Sequence, residues 1–180
     1  MNQDRLPLNI TDEGIITQAH FIASPNYDAR PEGTAIELLV IHNISLPPQQ
    51  YGGNGIIELF TNQLDPDAHP YYREIHQLRV SSHFLIRRDG ELIQFVPCSQ
   101  RAWHAGQSTW NNRQRCNDFS IGIELEGSDF EAFTDAQYQQ LHQLTQLLQQ
   151  HYPLQDIQGH SDIAPGRKTD PGPYFDWPRY

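Results

Sequence analysis

The sequence predicts a mixed α/β domain, with a central mixed β-sheet of about four or five strands and helices on its faces. Three segments carry that expectation. Residues 36–41 are a short, nearly continuous apolar run with β-branched side chains, the pattern of a buried strand. Residues 119–126 alternate strictly: Phe119, Ile121, Ile123 and Leu125 point one way, Ser120, Gly122, Glu124 and Glu126 the other. Thr134-Asp135-Ala136-Gln137 is a capping-box start. The helix it opens should run to about residue 150, with Tyr138, Leu141, Leu144, Thr145 and Leu148 at helical spacing.

The other elements follow in order. The first 34 residues are irregular, with Ser24-Pro25-Asn26-Tyr27 and Arg30-Pro31, and are expected to wrap as an arm on one domain spanning 35–180. The strand at 36–41 ends at His42-Asn43, and a Pro47-Pro48 loop follows. Residues 55–60 suit a short helix and 65–70 a loop. Residues 80–87 and 91–96 flank Arg88-Asp89-Gly90, a hairpin signal through Asp-Gly. Tyr152-Pro153 stops the long helix, 157–160 suits a last short strand, and the Pro- and Gly-rich tail from Ser161 is loop. No linker, repeat or charge block divides the chain.

Composition removes several classes. A chain of 180 residues is one domain's length, and at that size about 70% of the unfolded surface can be buried. Eight Phe, eight Tyr and three Trp argue against disorder. Twelve Lys+Arg against 22 Asp+Glu give a net charge of −10, which is no footprint for nucleic acid. No apolar run approaches the ~18 residues of a membrane span. The start lacks the basic-then-apolar order of a secretory signal, so a cytoplasmic protein is expected. Cys98 and Cys116 lie in no CxxC motif and are expected to be free thiols. Nine histidines remain as the feature to follow.

Three residues are candidates for one metal site. His42 ends a buried strand, His160 follows a glycine at the end of another, and Asp170 lies in the stiff loop beyond. Two imidazoles and a carboxylate suit zinc and leave its fourth position for water, the catalytic arrangement. Such water needs a proton acceptor. Glu124, on the polar face of its strand where Gly122 leaves space, is the candidate. Lys168, two residues from Asp170, is placed to stabilise a developing oxyanion. Each side chain taken singly has a plain structural reading as well: a hydrogen-bonded histidine, an exposed sheet face, a solvated lysine. Spacing alone supports a zinc hydrolase only weakly.

Motifs add what spacing lacks. The chain carries Ser-Pro-Asn-Tyr-Asp-Ala-Arg-Pro (24–31), Val-Ile-His-Asn-Ile-Ser-Leu-Pro-Pro (40–48) and Arg-Ala-Trp-His-Ala-Gly (101–106). It also carries Arg-Cys-Asn-Asp-Phe-Ser-Ile-Gly-Ile-Glu-Leu-Glu-Gly (115–127) and Gly-His-Ser-Asp-Ile-Ala-Pro-Gly-Arg-Lys-Thr-Asp-Pro-Gly-Pro (159–173). Over nearly its whole length it resembles the AmpD-type N-acetylmuramoyl-L-alanine amidases, of the zinc amidase family that includes phage amidases and peptidoglycan recognition proteins.

The resemblance implies that family's mixed sheet with flanking helices, with 35–180 as the catalytic domain. It implies His42, His160 and Asp170 as zinc ligands, Glu124 as the catalytic glutamate and Lys168 as the catalytic lysine. Phage members and recognition proteins have Cys where this chain has Asp170, and non-catalytic recognition proteins lose that ligand; its presence favours an enzyme. The implied reaction is hydrolysis of the amide between the lactyl group of N-acetylmuramic acid and L-Ala of the stem peptide. The implied substrates are 1,6-anhydro-muropeptides met in cytoplasmic recycling, and the expected state is a monomer with no nucleic-acid or membrane partner. The alternatives are a non-catalytic muropeptide-binding protein and a broader murein amidase.

Arg79 and Arg115 fall in matching segments and are candidates for gripping substrate carboxylates, with a surface ion pair as the competing reading. Asn43, beside His42, can donate and accept at an amide. His83, His104 and Trp103 are expected to be packed residues before they are groove residues.

Overall fold

A six-stranded sheet organises the chain in a computed structural model that describes residues 7–180. Residues 1–6, the beginning of the arm assigned to 1–34, lie outside the described residues. In chain order the elements are β1 (His20–Phe21), β2 (Tyr27–Ala29), β3 (Leu38–Ile44), α1 (Gly55–Phe60), α2 (Pro70–Ile75), β4 (Phe84–Ile86) and β5 (Leu92–Gln94). They continue with β6 (Gln100–Ala102), β7 (Thr109–Trp110), β8 (Arg113–Gln114), β9 (Ser120–Glu126), α3 (Asp135–His151), β10 (Asp156–Gly159) and α4 (His160–Ile163).

The sheet order is β1-β5-β4-β9-β3-β10. Strands β4, β9, β3 and β10 pair in parallel, while β5 is antiparallel to β4. The sheet is therefore mixed, as the patterns required. The fifth and sixth neighbours are supplied by the Asp89-Gly90 hairpin and by β1, which pairs in parallel with β5. Gly90 sits at φ +83°, the left-handed turn conformation that glycine adopts without strain.

Helix α3 covers one face. Its Thr134 side chain accepts from the Gln137 N–H, and the Gln137 side chain accepts from the Thr134 N–H, closing the capping box. Leu141, Leu144 and Leu148 pack in one cluster with Leu39, Ile41, Ile121, Ile123 and Leu125. Burying each such leucine is worth roughly 1.5–3 kcal/mol. A second cluster lies with α1 and α2 and joins Ile56, Leu59, Phe60 and Tyr72 to Leu85 and Ile93.

Two differences from the sequence pattern matter for the site. The strand at 36–41 runs on to Ile44, because His42, Asn43 and Ile44 continue the parallel pairing with Glu124, Leu125 and Glu126. His42 is thus held inside a strand. And β9 has no solvated face: all seven of its residues are buried. Its polar side lies under the 83–104 region and the site.

The segment 7–34 contains two short strands, β1 and β2, where the pattern is irregular. Its half-buried Arg30 guanidinium donates to the carbonyls of Cys98, Asn117, Asp118 and Ser120. Both cysteines are free and buried. Among the described residues no helix is long and apolar enough to cross a membrane.

Candidate metal centre and active site

Three parallel neighbours deliver the site. His42 projects from β3 on the face that carries Leu38 and Val40, away from α3. Glu124 is its register partner on β9. His160 opens α4 immediately after β10. The Ser161 N–H donates to the Asp170 carbonyl at 2.9 Å, which fastens the 168–170 loop beside His160.

His42, His160 and Asp170 converge. His42 Nδ1 to His160 Nδ1, His42 Nδ1 to Asp170 Oδ2, and His160 Nδ1 to Asp170 Oδ2 are each 3.0 Å. Three atoms that each offer a lone pair close on one point, and all three groups are buried or half-buried. The outer imidazole nitrogens are engaged elsewhere: His160 Nε2 lies 3.0 Å from the Ala105 carbonyl and His42 Nε2 lies 2.9 Å from His104 Nδ1. That donor set fits a divalent cation with nitrogen and oxygen preference.

The electrostatics agree. Burial lowers His42 to about 4, so its ring is neutral at pH 7, as a ligand must be. Burial pushes Asp170 up, but its close contacts with His160 and His42 outweigh it and hold the carboxyl below the usual carboxylate range. Glu124 is raised well above its ordinary value by burial and then by the Asp170 charge, with the Lys168 ammonium opposing. Its Oε2 is buried without a hydrogen-bond partner among the described residues. A buried carboxylate oxygen with no partner is costly, and a bound cation with a polarised water would satisfy it.

These groups line a cavity of about 370 Å³. Lys168 and Asn43 join His42, His160, Asp170 and Glu124 on its polar side; Leu59, Phe60, Tyr71, Ile75, Leu78, Val80 and Trp103 form the apolar side. A second, shallower depression shares Asn43, Tyr71, Lys168 and Asp170 and extends past Asp129, Phe130 and Arg167. Asn43 spends its amide hydrogens on Asp129 Oδ1 (2.7 Å) and the Pro171 carbonyl (3.0 Å). Its Oδ1 is left to accept.

Of the residues singled out from sequence, the structure brings His42, His160, Asp170, Glu124, Lys168 and Asn43 together and adds Trp103. Arg79 and Arg115 are not in the cavity lining. Arg79 is exposed and donates to the carbonyls of His76 and Leu78. Arg115 is exposed and pairs with Asp118 at 3.4 Å. The space at Gly122 is filled by the His104 ring: a Cβ there would stand 2.5 Å from His104 Cγ. His104 is thus a neighbour of His42, and Gly122 was the signal for it, since a glycine inside a strand marks close approach by another group. Tyr71, Asp129 and Arg167 carry no such signal.

Comparison with known proteins gives one answer. Residues 32–173 match the family model described as N-acetylmuramoyl-L-alanine amidase. The 1,6-anhydro-N-acetylmuramyl-L-alanine amidase AmpD of Salmonella typhimurium (strain SL1344) is 58% identical over 173 residues, 95% of this chain and 92% of that protein. A crystal structure of a Se-Met AmpD derivative superposes with a TM-score of 0.92 at 57% identity, covering 95% of this chain and 97% of the other. The Escherichia coli amidase AmiD, in complex with the substrate anhydro-N-acetylmuramic acid-L-Ala-D-gamma-Glu-L-Lys, matches with a TM-score of 0.59 at 30% identity, covering 94% of this chain and 63% of the other. A metal-capable triad beside a buried glutamate, on this sheet and with these relatives, places the chain in the N-acetylmuramoyl-L-alanine amidase family.

Proposed function

We propose that the protein is a zinc-dependent amidase of cytoplasmic muropeptide recycling, acting as a monomer. It hydrolyses the amide between the lactyl group of 1,6-anhydro-N-acetylmuramic acid and L-Ala of the stem peptide. The observation that supports this most directly is the His42–His160–Asp170 triangle with the unpartnered Glu124 oxygen beside it. The AmpD relatives are named for that substrate, and the AmiD complex holds an anhydro-muramyl peptide.

His42, His160 and Asp170 would hold the zinc, which would supply Lewis acidity towards water, whose pKa it brings towards ~7, and towards the amide carbonyl. The chain's own groups do the rest. Glu124 takes the proton of the attacking water and returns it to the departing L-Ala amine. Its burial keeps that proton from bulk solvent. Lys168, at the cavity mouth, stabilises negative charge on the lactyl oxygen. Asn43 Oδ1, its amide nitrogen held by Asp129 and Pro171, accepts from a substrate N–H. The apolar wall around Trp103 and Tyr71 covers the sugar's less polar face. Arg79 and Arg115 act from outside the cavity lining, on substrate carboxylates that extend beyond it.

The test is release of the stem peptide from a defined anhydro-muropeptide by purified protein, with chelator and with zinc added back. Loss on chelation and recovery with zinc is the expected result. Stoichiometric zinc without turnover would leave a binding protein instead. Equal rates on anhydro- and reducing-end muropeptides would point to a broader murein amidase.

A further inference from the structure

The far nitrogens of both candidate imidazole ligands meet the same dipeptide. His42 Nε2 lies 2.9 Å from His104 Nδ1, and His160 Nε2 lies 3.0 Å from the Ala105 carbonyl oxygen. The dipeptide is itself held: Asn117 Oδ1 accepts from the His104 N–H at 3.2 Å and the Ala105 N–H at 2.8 Å. The Ala105 carbonyl also accepts from Arg167 at 2.7 Å. The His104 ring lies against Gly122, where any Cβ would collide with it, and stands edge-on to His42 at 90° with centroids 5.0 Å apart.

These contacts bear on tautomers. His160 Nε2 has the Ala105 carbonyl at 3.0 Å and the Arg167 guanidinium at 3.4 Å. The guanidinium donates at 2.7 Å to that same carbonyl, which only accepts and is the nearer partner of Nε2. The geometry therefore favours His160 with its proton on Nε2 and its Nδ1 lone pair offered to the triangle. His42 has no such fixed partner, because either imidazole of the His42–His104 pair can donate. The choice passes one link on, where His104 Nε2 lies 3.1 Å from Ser120 Oγ. A hydroxyl can end the chain in either sense. For His42 to offer Nδ1, its Nε2–H must donate to a bare His104 Nδ1, and the His104 Nε2–H must donate to Ser120 Oγ.

We propose that His104 and Ser120 are positioning residues for metal capture: His104 accepts the far proton of His42, Ser120 accepts that of His104, and the pair so holds His42 in the tautomer that binds through Nδ1, while the Ala105 carbonyl does the same for His160. This rests on the metal reading above. It adds two side chains that lie outside the metal triangle. No proton is gained or lost overall. One proton moves from His42 Nδ1 to Nε2 and one from His104 Nδ1 to Nε2, while the Ser120 hydroxyl turns from donor to acceptor.

The test is zinc affinity, measured by competition with a chromophoric chelator. His104→Phe keeps a ring over Gly122 and removes both nitrogens; zinc should bind about 10–100-fold more weakly, the usual cost of a lost partner behind a histidine ligand. His104→Asn places Oδ1 where Nδ1 stood and should recover most of that loss. Long-range ¹H–¹⁵N spectra of the wild-type, zinc-loaded protein read the tautomer directly and need no variant to fold. They should show His104 protonated on Nε2 and bare on Nδ1. A His104→Phe protein with wild-type zinc affinity, a folded His104→Asn protein as weak as His104→Phe, or a proton on His104 Nδ1 would each overturn the proposal. A wild-type protein that binds no zinc would overturn the metal reading, and this proposal with it.

Discussion

His42 on β3 and Glu124 on β9 are direct partners in the parallel register, with their side chains on the same side of the sheet. A proposed metal ligand and a proposed base are thus set on the two most extensively paired strands of the fold, and neither depends on a loop for its position. Strands fix such geometry more tightly than loops do.

Replacing Glu124 with Gln keeps the shape and removes the charge. We expect kcat to fall about 10²–10⁴-fold, the usual weight of a positioned acid–base group. Bound zinc, measured by elemental analysis, should stay near one per chain because Glu124 is outside the triangle. Near-normal turnover would remove Glu124 from the base role.

Removing the metal should cost stability as well as activity. Three side-chain atoms held 3.0 Å apart would bind the proposed cation in the folded state only. At free zinc about 100 times Kd, the folded state gains about 2.7 kcal/mol. Thermal melts with chelator and with zinc should therefore differ by several degrees. Superimposable melts would mean that the triangle does not load.

His83 should make the protein acid-sensitive. It is fully buried, accepts from the Gly122 N–H on Nδ1 and lies 3.0 Å from the Gln100 carbonyl through Nε2. Burial, and then the Arg30 charge, lowers it to about 3. Between that value and about 6.5 the unfolded chain binds a proton that the folded one refuses, so stability falls as pH drops through this window. The contribution is roughly a few kcal/mol. Urea unfolding of wild type and His83→Gln between pH 7 and pH 4 measures it. The wild type should lose stability faster, and parallel pH profiles would contradict the assignment.

Arg115 has an exposed side chain that pairs with Asp118, so Arg115→Ala should fold normally. If it grips a substrate carboxylate, KM should rise about 10–100-fold, the value of a hydrogen bond to a charged group, with kcat little changed. A fall in kcat at constant KM would assign it a different role.

Much of this was legible in the sequence because certain patterns are long. The alternation of 119–126 fixed which side of β9 holds Glu124, and the Thr134 capping box marked the start of α3 within a residue. His42, Glu124, His160, Lys168 and Asp170 all reach one cavity. Other features were too short to speak. Helix α2 has six residues, under two helical turns, and β1, β7 and β8 have two each, a single period of alternation, so none repeats its pattern often enough to be read. His104 owes its place to His42 and Gly122, distant in sequence, and a lone histidine in Trp-His-Ala-Gly announces neither. An exposed arginine has no pattern to aim it, which is why Arg79 and Arg115 fall outside the cavity lining.

The triangle has one more consequence, for the order of events in making the protein. A zinc finger gathers its ligands within one short segment, so the ion can draw that segment into shape. Here His160 and Asp170 lie 118 and 128 residues beyond His42. They reach it only after β3, β9 and β10 have closed their parallel crossovers, the slow, non-local contacts of folding. The ion therefore cannot nucleate this fold. In the proposed zinc site, loading would follow assembly, and zinc uptake by a refolding sample should time the completion of the sheet.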